Sequence, residues 1–486
     1  MLNIFLFIFS YFYPTNSLIY PSLDYLKISG FSFNYFYSKL IYEDFFEDIY
    51  SQIEKEYYEK KNLPKIIRRS FLLLKEEKER NFSFPPLSFT LPLKEDFSFG
   101  FEFISEPLID TSNIRLMLGA NLFGISRNKR DIFVRYKVNF YKDTLFDIID
   151  EGDNRHIPNH SVCRSGNKHM SLVIDEANIS FRLYYFYLLF GRTSLSFSPS
   201  PFPSVTLSDF GPPKDLFLLL GDFNKLRIIY FTAALSRHKE YLRFLSFQRA
   251  EFSFKYFNLG FNIAVVHSPD SSQTKSFFGY LNPFIPIYFE VANSGHDDNF
   301  CAGFDFSLFL LKRVKLYYEL FLDNIEYQKE RKKYLPNCYA YNLGFIFLLP
   351  LDLELKLEYT KIMPYTYYHR IYHIAYTNYG TPLGHPLGPD ADELKGEITY
   401  YLNEKILFKI FANRERRGKY NSGDIKNKTW EEGDPVNEFL KDKKETYLIF
   451  PSIEIRFLKL SSFNFGYLFS KEKFKNKIYL RFIYHL

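Results

Sequence analysis

Residues Leu351 to Lys361 read LDLELKLEYTK, with Leu351, Leu353, Leu355, Leu357 and Tyr359 on one parity and Asp352, Glu354, Lys356, Glu358 and Thr360 on the other. Successive side chains of a strand point to opposite faces, so this stretch predicts a strand with one apolar and one polar face. The pattern recurs: Ile132, Val134, Tyr136, Val138 and Phe140 alternate with Asp131, Arg135, Lys137, Asn139 and Tyr141. Val314, Leu316, Tyr318, Leu320 and Leu322 do so with Lys315, Tyr317, Glu319, Phe321 and Asp323. A soluble sandwich also alternates, but these segments reach the ~9–11 residues that a tilted strand needs to cross a bilayer. The first reading is a membrane barrel.

Composition agrees with it. Aromatic residues make up 20% of the 486, with 57 Phe, 40 Tyr and a single Trp, Trp430, which suits lipid-facing strands and belts at the lipid boundary. Charged residues reach 24% and the mean hydropathy is −0.22. After the N-terminus no stretch stays apolar for the ~18 residues of a membrane helix, so a helical membrane protein is excluded. A barrel escapes this limit because half of each strand faces a wet interior. The net charge of +6 is mild and spread along the chain, which speaks against nucleic acid as a partner.

Residues 1–17, MLNIFLFIFSYFYPTNS, have the shape of a signal peptide, though without an early Lys or Arg; a buried first strand is the alternative. Residues 18–86 change period. Leu40, Ile41, Phe45, Ile49, Ile53 and Tyr57 form a helical stripe, Ser22 is placed to cap a short helix stopped by Gly30, and Pro64 to open a third. A small bundle of helices is expected there, on the periplasmic side. Residues 87–486 divide into candidate strands beginning near 97, 114, 131, 171, 180, 225, 243, 257, 299, 313, 338, 351, 367, 391, 405, 446, 462 and 477. The fold class expected is thus an all-β transmembrane barrel of about 18 antiparallel strands behind a small N-terminal α-helical bundle. The long connections are 142–170, 191–225, 268–298, 377–390 and 418–445. With this strand list, all of them face outward except 268–298.

Four of the stretches resemble, in chain order, the Wzi family of outer-membrane capsule assembly proteins. They are FGRTSLSFSPSPFPSVTLSDFGPP (190–213), in which Ser198 and Ser200 stand where glycines are usual, RFLSFQRAEFSF (243–254), YLNPFIPIYFEVANSGHDDNFCAGFD (280–305) and YGTPLGHPLGPDADEL (379–394). The N-terminal YPSLDYLKISG also looks like the opening helix of that family's helical domain. The resemblance implies an 18-stranded outer-membrane barrel, partly closed by the bundle, that anchors capsular polysaccharide as a lectin-like protein without enzymatic activity.

Sugar recognition needs carboxylates and amides for hydroxyls and aromatic faces for the apolar side of a ring. Tyr379, His385, Asp390 and Asp392 in one loop, and His296, Asp297 and Asp298 in another, supply these groups and are the candidate polysaccharide-binding residues. The competing reading is that they fold loops inward and satisfy one another. Arg192 and Asp209 are expected to pair and fix their loop. His156, His160, Cys163 and His169 are metal-capable, but their spacing matches no zinc motif, and Cys163, Cys301 and Cys338 define no disulfide framework, so no metal and no cofactor are expected. The expected partners are capsular or exopolysaccharide and outer-membrane lipid, the chain being a monomer in the bacterial cell outer membrane. A passive porin-like channel is the alternative, and an outer-membrane hydrolase a more remote one.

Overall fold

The computed structural model describes residues 19–38, 43–60, 63–78, 97–110, 114–126, 133–143, 170–183, 185–269, 279–294, 298–325, 337–369, 371–419, 439–458, 461–470 and 477–483. The expected signal peptide and the 155–169 His/Cys cluster lie outside these residues. Three helices come first, α1 (Ile19–Ile28), α2 (Glu43–Glu59) and α3 (Lys65–Lys78). The strands follow: β1 (Phe97–Asp110), β2 (Ile114–Ser126), β3 (Phe133–Asp143), β4 (Met170–Leu183), β5 (Phe186–Thr193), β6 (Lys214–Phe223), β7 (Leu226–His238), β8 (Tyr241–Ser253) and β9 (Phe257–His267). A short helix, α4 (Ile287–Ser294), precedes β10 (Asn299–Leu310), β11 (Val314–Asn324), β12 (Cys338–Leu349) and β13 (Leu353–Ile362). After a two-residue ribbon of β14 (Thr377–Asn378) and β15 (Thr381–Pro382) come β16 (Ala391–Tyr401), β17 (Ile406–Arg417), β18 (Lys444–Leu458), β19 (Ser461–Ser470) and β20 (Lys477–Ile483).

Apart from the β14–β15 ribbon, the strands join in one antiparallel sheet in which sequence neighbours pair, and β1 pairs with β20 as well as with β2. The opening stretch is β13, and it begins two residues later than its alternation predicts. Leu351 and Asp352 both have positive φ, 64° and 58°, and form the turn from β12. Asp352 therefore leaves the polar face, and its carboxylate accepts from the Lys65 amide at 2.7 Å to cap α3. Beyond the turn the two faces separate as the sequence predicts: Glu354, Glu358 and Thr360 are at most 1% exposed, whereas Leu343 and Ile398 on the neighbouring strands β12 and β16 point the opposite way and stand nearly half exposed. Around β13 polar residues are covered and apolar residues face outward, the inverse of a soluble protein.

Two bodies cover the polar face. At one end α1 and α3 pack together, and Leu23, Leu26, Ile49, Phe71 and Leu74 share a core with Phe309, Tyr317, Ile346, Tyr401 and Leu407 of the sheet. Burying each such aliphatic side chain stabilises by about 1.5–3 kcal/mol. Gly30, at φ 83°, ends α1 as expected. Ser22 is instead buried inside the helix, because α1 starts at Ile19. Pro64 does open α3: its carbonyl accepts from the amides of Ile67 and Arg68.

At the other end, residues 194–213 and 363–390 pack Leu195, Phe197, Val205, Leu207, Tyr367 and Leu383 against Leu218, Phe231, Phe247 and Phe321. Two local readings of the sequence are corrected here. A strand, β6, occupies Lys214–Phe223 inside the expected 191–225 loop, and residues near 367 are a turn rather than a strand. These errors cancel in number but invert the direction of every strand between them. With strands alternating up and down, β9 and β10 are connected at the same end of the sheet as β5 and β6, β13 and β16, and β17 and β18, opposite α1–α3. The 268–298 connection therefore shares the side of the loops that the sequence expects to face outward.

Candidate functional site

The loop end is built around a short hairpin. Tyr379 and Gly380 both have positive φ, 49° and 78°, which gives the two-residue turn between β14 and β15 the twist that hairpins favour and suits glycine at its second position. The hairpin is strapped to β7: the Tyr379 amide donates to Ser236 Oγ at 2.8 Å, and the Ser236 amide to Asn378 Oδ1 at 2.8 Å. Arg243 of β8, 4% exposed, donates to the carbonyls of His373 (2.5 Å), Ala375 (2.6 Å) and Thr377 (2.9 Å). One guanidinium thus satisfies three carbonyls of the short segment that leads into β14. The result is a rigid rim on which Tyr379 is 55% exposed, beside a half-buried Tyr241–His373 stack with ring centroids 4.1 Å apart. Burial, with His238 and Arg243 adding to it, lowers the pKa of His373, so its ring is a neutral face at physiological pH.

Beneath the rim, the Ser-rich segment 194–213 is latched to two carboxylates of the sheet. Glu319 accepts from Ser198 Oγ (2.7 Å), Ser204 Oγ, the Thr206 amide (3.0 Å) and Asn342 (3.0 Å). Glu358 accepts from Ser200 Oγ, Tyr317 (3.1 Å) and Thr360 (3.2 Å). A cavity of about 450 Å³ remains between this segment and the helices, lined among others by Tyr20, Tyr25, Ser200, Phe202, Lys356 and Tyr401.

Of the candidate site residues named from the sequence, Tyr379 alone among those described stands more than half exposed. His385 is 1% exposed; its Nδ1 accepts from the Leu387 amide at 3.2 Å and its Nε2 lies 3.3 Å from Lys395 Nζ. Burial, then Lys395 and Arg417, push its pKa well below the usual histidine range. Asp390, fully buried, accepts from the Leu440 amide at 2.7 Å and so ties loop 363–390 to residues 439–443. Asp392 faces the outer wall instead, paired bidentately with Arg416 (2.8 Å for the Nε contact) and bonded by Tyr359. Asp298 accepts from Tyr280 at 2.7 Å, while His296 and Asp297 lie outside the described residues.

Arg192 does not meet Asp209. Its guanidinium is bidentate to Asp215, at 2.8 and 2.6 Å, because β5 and β6 place Arg192 and Asp215 directly opposite each other. With β6 read as loop, that partner was invisible. Tyr241, His373 and Arg243 were also missed, since nothing in their local sequence says that β8 lies beside residues 373–377. Cys301 and Cys338 are buried, and the Cys301 thiol donates to Asp323 Oδ1 at 3.5 Å.

A family model described as capsule assembly protein Wzi matches residues 165–477. Among solved structures the chain is similar to Wzi of Escherichia coli, an outer membrane protein involved in group 1 capsule assembly and a carbohydrate-binding β-barrel. The TM-score is 0.63 at 13% identity, over 99% of this chain and 100% of that one. Looser likenesses are OccD3 (OpdP) of Pseudomonas aeruginosa (TM-score 0.46, 11% identity, 82% and 93% covered) and OccAB1 of Acinetobacter baumannii (0.45, 10%, 80% and 95%). No curated protein matches the sequence.

Proposed function

The chain belongs to the capsule assembly protein Wzi family of the bacterial outer membrane, and from that premise we propose that it holds capsular or exopolysaccharide at the cell surface by binding rather than catalysis. The observation that carries this reading is the inverted wall with a braced aromatic rim: apolar residues outward, polar residues under two plugs, and Tyr379 with the Tyr241–His373 stack at the loop end. The sheet closes into an 18-stranded transmembrane barrel, the helices cap its periplasmic mouth, and the rim faces the medium. Tyr379, Tyr241 and His373 offer flat faces to the C–H side of a sugar ring, as aromatic side chains do for other apolar surfaces. His385, Asp390 and Asp392 position the loops, and Asp298 holds Tyr280. Single contacts are weak, but a polymer repeats its epitope, so a monomeric barrel array retains it by avidity.

Deleting the gene is expected to release polysaccharide into the medium while synthesis continues. Complementation with a Tyr241→Ala, Tyr379→Ala double variant should restore the folded barrel and leave the polymer unattached; full retention by that variant would remove the rim from the binding site. Unchanged cell-attached polymer in the deletion strain would end the anchoring reading itself.

A further inference from the structure

The segment Gly279–Ser294 lies on the outer wall, not in the mouth. Its Tyr280 and Ile287 are buried on Val265, with Ile263, Phe300 and Val291 around them, and this cluster is separate from those of the covered face. On β9, Ala264 and Val266 point into the covered core, so Ile263, Val265 and His267 point outward. What the segment covers is polar. Tyr230, Thr232, Ser246 and His267 share the outward parity and bond in a chain: Tyr230 to Thr232 at 2.8 Å, Thr232 to Ser246 at 2.9 Å, Ser246 to His267 Nε2 at 3.1 Å. Tyr230 also donates to the Tyr280 carbonyl. Gln248, again outward, straps the segment by donating to the carbonyls of Pro283 and Ile285 and accepting from the Ile287 amide at 2.9 Å. An uncovered polar ladder on that face would meet hydrocarbon, at a cost of several kcal/mol per unsatisfied group.

The segment's far side is apolar. Phe284 is 84% exposed, Phe289 56% and Tyr288 54%, and Glu290 is the only charged residue between 279 and 294. These rings continue the outward row of Phe261, 48% exposed, and Ile228, 46%. We propose that Gly279–Ser294 is a membrane-contact element: it replaces lipid over the polar ladder and sets Phe284, Tyr288 and Phe289 into the outer-leaflet lipid at the interface. Aromatic rings favour that depth, and a short helix with one apolar face lies flat in it. The inference rests on the reading of the sheet as a transmembrane barrel.

The test uses the full chain with its one tryptophan removed, Trp430→Phe, and a single new one at Phe289→Trp, reconstituted in vesicles of phosphatidylcholine brominated near the headgroup end of its acyl chains. Tyr288→Trp serves as a second probe, and Phe261→Trp and Tyr379→Trp as wall and rim references. The Phe289→Trp and Tyr288→Trp proteins are expected to lose most of their fluorescence, as Phe261→Trp does, while Tyr379→Trp keeps it and is quenched by iodide. Emission at 288 and 289 that bromine spares and iodide quenches would place the segment in water and overturn the proposal. Emission spared by both would mean that a second copy covers it, which also overturns it. An unquenched Phe261→Trp protein would instead sink the barrel reading beneath.

Discussion

The two plugs of this molecule cover the same polar face by different chemistry. The helical plug is regular in structure, shares one core with the sheet, and is fastened to its strands and turns by ion pairs: Asp24 with Lys315 at 2.9 Å, Lys65 with Asp352 at 3.2 Å, Arg68 with Glu404 at 3.2 Å, and Arg69 with Glu454. Among its described residues the loop plug has little regular structure: one tiny hairpin, a 3-10 turn at Tyr372–Ile374 and a single bridge between Phe197 and Leu207. Hydroxyls and amides of residues 198–206 converge on Glu319 and Glu358, and Arg243 gathers three carbonyls. The difference is one of order. A helix satisfies its own backbone before it docks, whereas an irregular loop is satisfied only once it sits on the wall.

That contrast can be broken from the helical side first. Phe71 stacks on Tyr57 at 3.8 Å and on Tyr50 at 5.9 Å, and is 2% exposed. Phe71→Ala is expected to destabilise by about 3–5 kcal/mol. The bundle should become sensitive to protease in detergent while residues 194–213 stay protected; simultaneous loss of both plugs would show that they form one cooperative unit.

Glu319→Ala attacks the other plug. It strands two serines, an amide and Asn342, at about 2–4 kcal/mol in total after relaxation. The expected result is a steady conductance in planar bilayers with the helices intact, against none expected of the wild type. A large steady channel in the wild type would favour the porin reading instead.

Acid and base sharpen the comparison, because each plug holds a buried basic group whose pKa burial lowers. His385 has its folded pKa pushed below the usual value, so its neutral form is the one the docked loop holds. The released loop takes up a proton once the pH falls below about 6.5, and docking should weaken by at most about 1.4 kcal/mol per pH unit from there down. His385→Gln should flatten that slope. Lys27, in α1, is lowered to about 8 by burial, with Asp24 opposing the shift, and donates to the Phe33 carbonyl at 2.6 Å. Between pH 8 and about 10.4 the unfolded chain binds the proton that the folded bundle does not, so bundle stability should rise with pH across that window. Thermal melts across pH, read separately from the two plugs by limited proteolysis, check both signs.

The smallest effect is local. Gly380→Ala forces a side chain into φ 78° and is expected to loosen the hairpin by about 1 kcal/mol. Polysaccharide retention should fall modestly while the melting temperature hardly moves.

Much of this architecture was legible in residues. The period-two alternation in Leu353–Ile362 and Val314–Asn324 specified strands and their faces, and the period in Ile49, Ile53 and Tyr57 specified α2, because both depend only on the repeat of side-chain direction along one chain. β6 escaped since KDLFLLLGDF is nearly all apolar after its second residue and shows no alternation, and Tyr365 to Tyr368 resembled a strand although Tyr365 and Tyr367 hold positive φ. The candidate site was less legible. YGTPLGHPLGPDAD marked the loop correctly, but only packing decides that His385, Asp390 and Asp392 turn away from solvent while Tyr379 turns toward it.

The sequence alone therefore determined the inverted two-faced strands, the helices ahead of them and the family. The tertiary structure decided which polar groups are spent on holding the plugs, that Arg192 meets Asp215, and that Tyr241 and His373 join Tyr379 at one rim. The physical reason is that alternation is a property of neighbours in the chain. A partner for a carboxylate or a ring comes from strands and loops tens to hundreds of residues away, and no local pattern encodes that distance.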